Sequence, residues 1–385
     1  VLSVLRRVDR LGLTLSLASA LALVLLPLVN LQPNRILPGQ GVALSQLWQQ
    51  NSFLIFLPLF LLALLSATFS RWLWPRLMIS AAALLLLIIA LGNSTTLLLE
   101  DQPPFARVSL GSGFWTLLLL LGLLMTDALI KLKMAPLPRL ALVAIYLGAI
   151  FALLASGLWD QISLMLEYHN QERFWQQGGR HLVLVAGSIL PALLIGVPLG
   201  IRCHRSPRVR AAILPVLSLL QTIPSLAMFG LLMIPLSLLA TSFPLLSEFG
   251  IRGIGAAPAL LALFLYSLLP IVSNTAAGFD GLDPAVLQAA KGMGMSRRQR
   301  LWQVELPLAL PVMLSGLRIV LTMNIGLVAV AGLIGGGGYG TYIFQGLGQT
   351  ATDLVLLGTL PTILLAFIAA MAIDTLIALT QRETR

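Results

Sequence analysis

Apolar residues fall in long runs along this chain, and short polar stretches separate them. A helix needs about 20 apolar residues to cross the hydrocarbon of a bilayer, and about ten runs approach or exceed that length by the apolar-run rule. They cover about 11–29, 53–70, 77–92, 110–130, 140–158, 182–201, 212–239, 257–273, 308–334 and 353–379, with ends good to a few residues. The run at 77–92 is short. The run at 212–239 is long and interrupted by Pro215, Pro224 and Pro235. The pattern predicts an all-α polytopic membrane protein with about ten transmembrane helices.

Composition agrees with hydrocarbon as the surrounding solvent. Hydrophobic residues make up 58% of the 385 and charged residues 10%, against about 25% charged in soluble domains. So few charges cannot cover a water-facing surface. The net charge of +10 raises the possibility of nucleic acid, but the basic residues sit in clusters between apolar runs. With a cytoplasmic N-terminus, the inside segments hold 18 of the 24 Lys and Arg and the outside segments 5, with Arg318 inside a span. That bias follows the positive-inside rule. It predicts both termini in the cytoplasm, a bilayer partner and no nucleic acid. Arg6, Arg7 and Arg10 precede a run containing Ala18-Ser19-Ala20, a partial match to a cleaved signal. The run continues to Val29, which favours an uncleaved first span.

The residue inventory argues against catalysis. Cys203 is the lone cysteine, so no disulfide framework forms within the chain. None of Lys131, Lys133 and Lys291 is followed by Ser or Thr, so no Walker A loop is present. His169, His181 and His204 form no HExxH pair or metal-ligand cluster, and no nucleophile-elbow sequence occurs. No catalytic residue, metal or cofactor is expected in this chain.

Two unlike parts follow one another. Residues 1–175 carry about five Leu-rich spans without a chemistry motif, and their role is unassigned. Residues 176–385 carry proline-interrupted spans, a long polar loop and a glycine cluster. Non-helical backbone at membrane depth requires protein or water around it, so this second part is expected to line a pathway.

The loop between the eighth and ninth runs is the most informative stretch. Asp283 before Pro284 is a helix start, with an N-cap acceptor and then proline at the first helical position. A short helix is expected to reach Lys291 and to be broken by Gly292 and Gly294. Ser296 then caps a second helix carrying Arg297, Arg298, Arg300 and Trp302, and Pro307 marks the start of the next span. Gln288-Ala289-Ala290, Gly294 after three residues, and Val304-Glu305-Leu306-Pro307 after nine more resemble the EAA loop of ABC importer permeases. Gln288 stands where that pattern has Glu, which removes the charge there. Gly196-Val197-Pro198-Leu199-Gly200-Ile201, Gln221-Thr222-Ile223-Pro224-Ser225-Leu226 and Tyr266 to Val272 are similar to permeases of osmoprotectant importers of the glycine betaine/choline/carnitine type. With its extra N-terminal spans the chain looks most like YehY-type permeases.

The resemblance implies a C-terminal ABC importer permease core, MetI-like and of the binding-protein-dependent type. It implies partner ATPase subunits that carry ATP and Mg, a periplasmic solute-binding protein, and a second permease subunit, either a different chain or a copy of this one. In that frame, small Ala289 and Ala290 let the loop helix enter a groove on an ATPase, and Gly294 permits the turn.

Other polar residues leave alternatives open. Gln221, Thr222, Pro224 and Ser225 lie mid-span, as do Tyr266, Ser267 and Asn274. They line a pathway or serve helix packing. Tyr266 offers an aromatic face to a quaternary ammonium, although one tyrosine is not a cage. Gly335, Gly336, Gly337, Gly338, Tyr339 and Gly340 match G-x-G-x-x-G formally, but no strand precedes them as a dinucleotide site requires. They read as an outer gate, as similar clusters do in the resembled family. Asp127, Arg318 and Asp374 are charges within or near spans, and structural pairing is the preferred reading. Two competing functions remain: an ABC permease for another small solute such as an amino acid, and an ion-coupled secondary transporter. A non-transporting scaffold needs no broken polar spans.

Overall fold

The computed structural model describes residues 8–35, 37–47, 51–69, 72–248 and 250–383. Arg6, Arg7, Arg71 and Arg385 of the charge tally therefore lie outside the described residues. Contacts divide the chain into two units, Val1–His169 and Asn170–Arg385. Among the described residues, nine helices are long and apolar enough to cross a membrane, and Arg10–Leu25 is a shorter apolar helix.

The first unit begins with α1 (Arg10–Leu25), β1 (Val29–Gln32), β2 (Gln40–Val42) and α2 (Leu44–Leu47). It continues with α3 (Asn51–Thr68), α4 (Leu73–Leu99), β3 (Arg107–Leu110), α5 (Ser112–Lys131), α6 (Pro136–Ala155) and α7 (Ser163–Glu167). Phe53, Phe56 and Phe60 of α3 and Leu77, Leu87 and Leu91 of α4 are buried. Leucines on the outer faces stay exposed, as hydrocarbon contact requires. A small antiparallel sheet of order β2-β1-β3 caps one end, with Val29 opposite both Val42 and Leu110. The apolar pattern placed Val29 and Leu110 in spans. Pro27 is the reason α1 stops short: the residue before a proline is pushed out of the α region, and Leu26 is extended at φ −103°, ψ 142°.

At the other end of this unit the charges interlock. Asp9 caps α1 by accepting from the Gly12 N–H at 3.2 Å. Arg76 in the first turn of α4 donates to Asp9 at 2.9 Å and pairs with Asp127 of α5. Lys131 pairs with both carboxylates. Arg76 was expected in a water-facing loop. It is instead 0% exposed, because two carboxylates and the Ala67 carbonyl supply its partners. Burial alone would raise the Asp9 carboxyl, but donation from Lys131, the Gly12 N–H and Arg76 outweighs it and holds Asp9 at about 2.

The second unit opens with α8 (Gln171–Arg205), α9 (Pro207–Thr222), α10 (Ser225–Ser242), α11 (Pro244–Glu248) and α12 (Ala256–Asp280). Then come α13 (Pro284–Gly292), α14 (Arg297–Arg300), a π-helical turn (Leu301–Glu305), α15 (Leu306–Ala331), a 3-10 turn (Gly332–Ile334), α16 (Gly340–Gly348) and α17 (Thr352–Glu383). Helix α12 runs through the core, with Ala259, Ala262, Leu263 and Val272 at 0% exposure. Small residues let its neighbours approach. A Cβ on Gly200 would lie 2.6 Å from Thr275 Cβ, and one on Gly196 2.7 Å from Ile271 Cγ2. These two glycines, four apart on α8, form a small-xxx-small contact. On the other side Gly316 of α15 sits against Asn274, and Gly278 of α12 against Ala309.

Two expectations are corrected here. The run at 212–239 is two helices, α9 and α10, parted at Ile223 and Pro224. Ile223 is extended at ψ 126°, as the residue before a proline tends to be. Nor does Pro307 separate the loop from the span. Residues Arg297–Ile334 form one helical run of 38 residues. Pro307 occupies the opening turn of α15 and is tolerated beside the π-helical turn, where the regular bond ladder is already shifted.

Candidate functional site

The polar loop after α12 is built as a hairpin. Asp283 accepts from the Ala285 N–H at 2.8 Å and caps α13 with Pro284 behind it. Helix α13 ends in a Schellman motif: the Met295 N–H donates to Ala290 O at 3.2 Å and the Gly294 N–H to Lys291 O at 3.0 Å. Gly294 has φ +77°, and a Cβ there would meet nothing within 4 Å. Its requirement is therefore left-handed backbone rather than space. Ser296 and Gln299 form a capping box that starts α14. Gly292 remains helical as the last residue of α13, so the break falls at Gly294.

Gln288, Ala289, Gly292, Arg297, Arg298 and Pro307 are exposed. Ala290 is not, at 1% exposure. It packs inside the hairpin, so of the two alanines only Ala289 presents its methyl outward. Val286, Met293 and Trp302 are exposed apolar side chains of the same hairpin. Charges that sequence reading left unassigned anchor the hairpin base. Asp280 at the end of α12 accepts from His204 Nδ1 and Arg210 Nη1, each at 2.6 Å. Buried Glu305 accepts from Arg300 at 2.6 Å and pairs with Arg205 at 3.7 Å. These pairs tie the hairpin base to the ends of α8, α9 and α12. A lone acidic residue after four basic ones was the signal in the sequence.

The mid-span residues separate into two groups. Gln221 and Tyr266 are brought together at the α9–α10 break. The Gln221 side-chain amide donates to Tyr266 O at 2.8 Å, and the Tyr266 hydroxyl donates to Ile223 O at 2.6 Å. The reason is local. Pro270 has no N–H to offer the carbonyl four residues back, which is that of Tyr266. Extended Ile223 likewise turns its carbonyl out of the helical ladder. Tyr266 is 5% exposed, so its ring is a packing surface in this conformation. Thr222 and Pro224 are exposed, and Ser225 is half-buried. Asn274 lies two turns further along α12 and donates to Pro270 O at 2.8 Å.

A third polar contact was missed. Asn324 of α15 is fully buried, and its amide donates to Ser188 and Ser267, both at 2.9 Å. It joins α8, α12 and α15, while its Oδ1 has no partner among the described residues. In α15 and α17, Arg318 and Asp374 pair at 3.1 Å.

At the end of α15 away from the hairpin, the glycine cluster is closely packed. Gly335 ends the 3-10 turn, and Gly336 and Gly338 are bonded to α8: Arg180 donates to Gly336 O at 2.8 Å and Gly338 N donates to Gln177 Oε1 at 2.8 Å. Gly337 lies against the Arg180 side chain. The Tyr339 ring packs at a tilt against Phe174 and buried His181. Gly340 abuts the Ala329 backbone too closely to admit a side chain. A helix precedes this cluster, so it is not a dinucleotide loop.

Residues 192–385, half of the chain, match the family model described as binding-protein-dependent transport system inner membrane component. The chain belongs to that family. It is a multi-pass permease subunit of an ABC transporter. Residues 9–165 match the N-terminal domain of ABC transporter permease YehY. The permease is 43% identical over 189 residues to the osmoprotectant import permease protein OsmW of Salmonella typhimurium, covering 49% of this chain and 83% of that protein. It is 40% identical over 231 residues to OsmY of the same organism, covering 60% and 89%. The carnitine transport permease protein OpuCD of Listeria monocytogenes is 35% identical over 217 residues, covering 54% and 88%. A solved structure of the MetNI methionine ABC transporter in an inward facing conformation covers 54% of this permease and 94% of its own chain, at 17% identity and TM-score 0.45.

Proposed function

We propose that this permease subunit imports a quaternary-ammonium osmoprotectant, glycine betaine or a related compound, across the cell inner membrane. The observation that carries this reading is the 43% identity of its core to an osmoprotectant import permease. In this reading residues 1–175 are an added membrane region and residues 176–385 the permease core. Both termini are cytoplasmic, as the distribution of basic residues favours. The α13–α14 hairpin docks on an ATPase subunit that binds ATP and Mg, through Gln288, Ala289, Met293, Arg297 and Arg298. Closure of two ATPases moves the hairpin, and the Asp280 and Glu305 ion pairs carry that motion to α8, α9 and α12. A periplasmic solute-binding protein delivers substrate at the opposite face, where Gly335 to Gly340 form the gate. A second permease subunit, the same chain or another, completes the pathway beside Thr222, Pro224 and Ser225.

Reconstitution tests this. The chain is co-expressed with an ABC ATPase and a solute-binding protein of the same organism, placed in proteoliposomes, and supplied with labelled glycine betaine. ATP-dependent uptake is expected. Absence of uptake with the ATPase active overturns the substrate reading, and failure of any ATPase to copurify overturns the coupling reading.

A further inference from the structure

At the sheet-capped end of the first unit, a cavity of about 510 Å³ opens between the β1–β2 turn, the segment before β3, and α7. That volume falls within the range of small-molecule sites. Its walls carry Arg35, Arg107, Phe105, Pro103 and Pro104. Glu167, behind Leu166, holds both guanidinium groups. Arg35 reaches it through Nε at 2.8 Å and Nη2 at 2.9 Å, and Arg107 through Nη1 at 2.9 Å.

One carboxylate between two guanidinium groups leaves one positive charge over. Arg107 Nε and Nη2 donate to nothing among the described residues. Glu167 thus fixes the side chain and leaves a donor pair with the planar spacing that a carboxylate accepts bidentately. Phe105 is 78% exposed, unusual for a large aromatic beside charged groups, and its face is a surface for an ammonium cation. Pro103 and Pro104 fix their own φ angles, so this wall is ordered before a ligand arrives and less freedom is lost on binding. One cavity is thus lined by a guanidinium with donors to spare and by an exposed aromatic ring.

We propose that this cavity binds a zwitterionic osmolyte, with its carboxylate on Arg107 and its quaternary ammonium on Phe105. The assignment of the osmolyte class rests on the substrate reading above. The site lies outside the permease core and gives the N-terminal region a ligand of its own.

The test uses the full chain in lipid nanodiscs, without ATPase or binding protein, and equilibrium dialysis of labelled ligands. Glycine betaine carries both groups, choline lacks the carboxylate and propionate lacks the ammonium. Betaine is expected to bind more tightly than either. Arg107→Gln should weaken betaine at least tenfold and leave choline unchanged. Phe105→Ala, at an exposed position that does not threaten folding, should weaken betaine and choline and leave propionate unchanged. Betaine binding that neither substitution alters overturns the proposal. So does an absence of betaine binding to a chain that supports betaine uptake in the assembled importer, a result that leaves the substrate reading intact. An assembled importer with an active ATPase and no betaine uptake overturns the substrate reading instead.

Discussion

The contact between Gln221, Tyr266 and Pro270 makes a sharp prediction about how a proline inside a membrane helix is tolerated. Pro270 cannot donate to Tyr266 O, and the Gln221 amide does so from the neighbouring helix at 2.8 Å. Gln221→Leu keeps most of the volume and removes the donor. A buried carbonyl left unsatisfied costs about 1–3 kcal/mol, while interhelical hydrogen bonds in membranes average about 0.6 kcal/mol and rarely reach 2. The expected loss is therefore about 1–2 kcal/mol. Pro270→Ala supplies a backbone N–H to the same carbonyl, so in that background Gln221→Leu should cost under about 0.5 kcal/mol. The double-mutant cycle should return a coupling of about 1 kcal/mol. Reversible unfolding of the purified chain in mixed micelles, followed by tryptophan emission and circular dichroism, measures all four variants. Additivity within about 0.3 kcal/mol would refute the reasoning, as would a Gln221→Leu variant as stable as wild type.

Four further outcomes follow from the geometry. Gly294→Val places a β-branched residue at φ +77°, which costs about 1–2 kcal/mol locally; the permease should still purify as a folded chain, with copurifying ATPase reduced on mass spectrometry. Arg76→Leu leaves Asp9 and Asp127 buried with only Lys131, so the N-terminal unit should lose about 3–5 kcal/mol in limited proteolysis of its loops. With Arg76 in place, the Asp9 carboxyl is depressed to about 2 from 3.8. Its contribution to stability is therefore full above pH 3.8 and lost as pH falls through 2, which thermal melts of wild type against Asp9→Asn across that window will show. Asn324→Leu removes an unpartnered buried oxygen and should change stability by under about 1 kcal/mol. Asn324→Asp places a carboxyl group in the same apolar setting and should lower the melting temperature far more.

Legibility in the sequence tracked how local each cause was. Spans were readable because an apolar run and its backbone bonds are local. The hairpin was readable because Asp283, Pro284, Gly294 and Ser296 act within a turn of themselves, and their caps appear as expected. The division of 212–239 was half legible. Pro224 was seen, but the extended Ile223 needed the rule for the residue before proline. The sheet was hidden because its strands hold three or four residues and β3 pairs with β1 across more than seventy positions. Arg76 was misplaced because its partners Asp9 and Asp127 stand 67 and 51 positions away, and sequence proximity to a loop outweighed them. Ala290 was assigned to a partner surface because an alanine reads alike whether it faces its own hairpin or another protein.

The unbroken helix from Arg297 to Ile334 carries a mechanical consequence. At 1.5 Å per residue its 38 residues extend about 57 Å, from the charged hairpin to the threshold of the glycine cluster. A stiff rod of that length acts as a lever: a tilt of about 5° about one end displaces the other by roughly 5 Å. The five-residue π-helical turn at Leu301–Glu305 is where the shaft departs from the regular α-helical ladder, and Glu305 is clamped there by Arg300 and Arg205. Stiffness at that clamp sets how much of a push at one end arrives at the other. Loosening it, without touching either end, would turn a rigid transmission into a slack one.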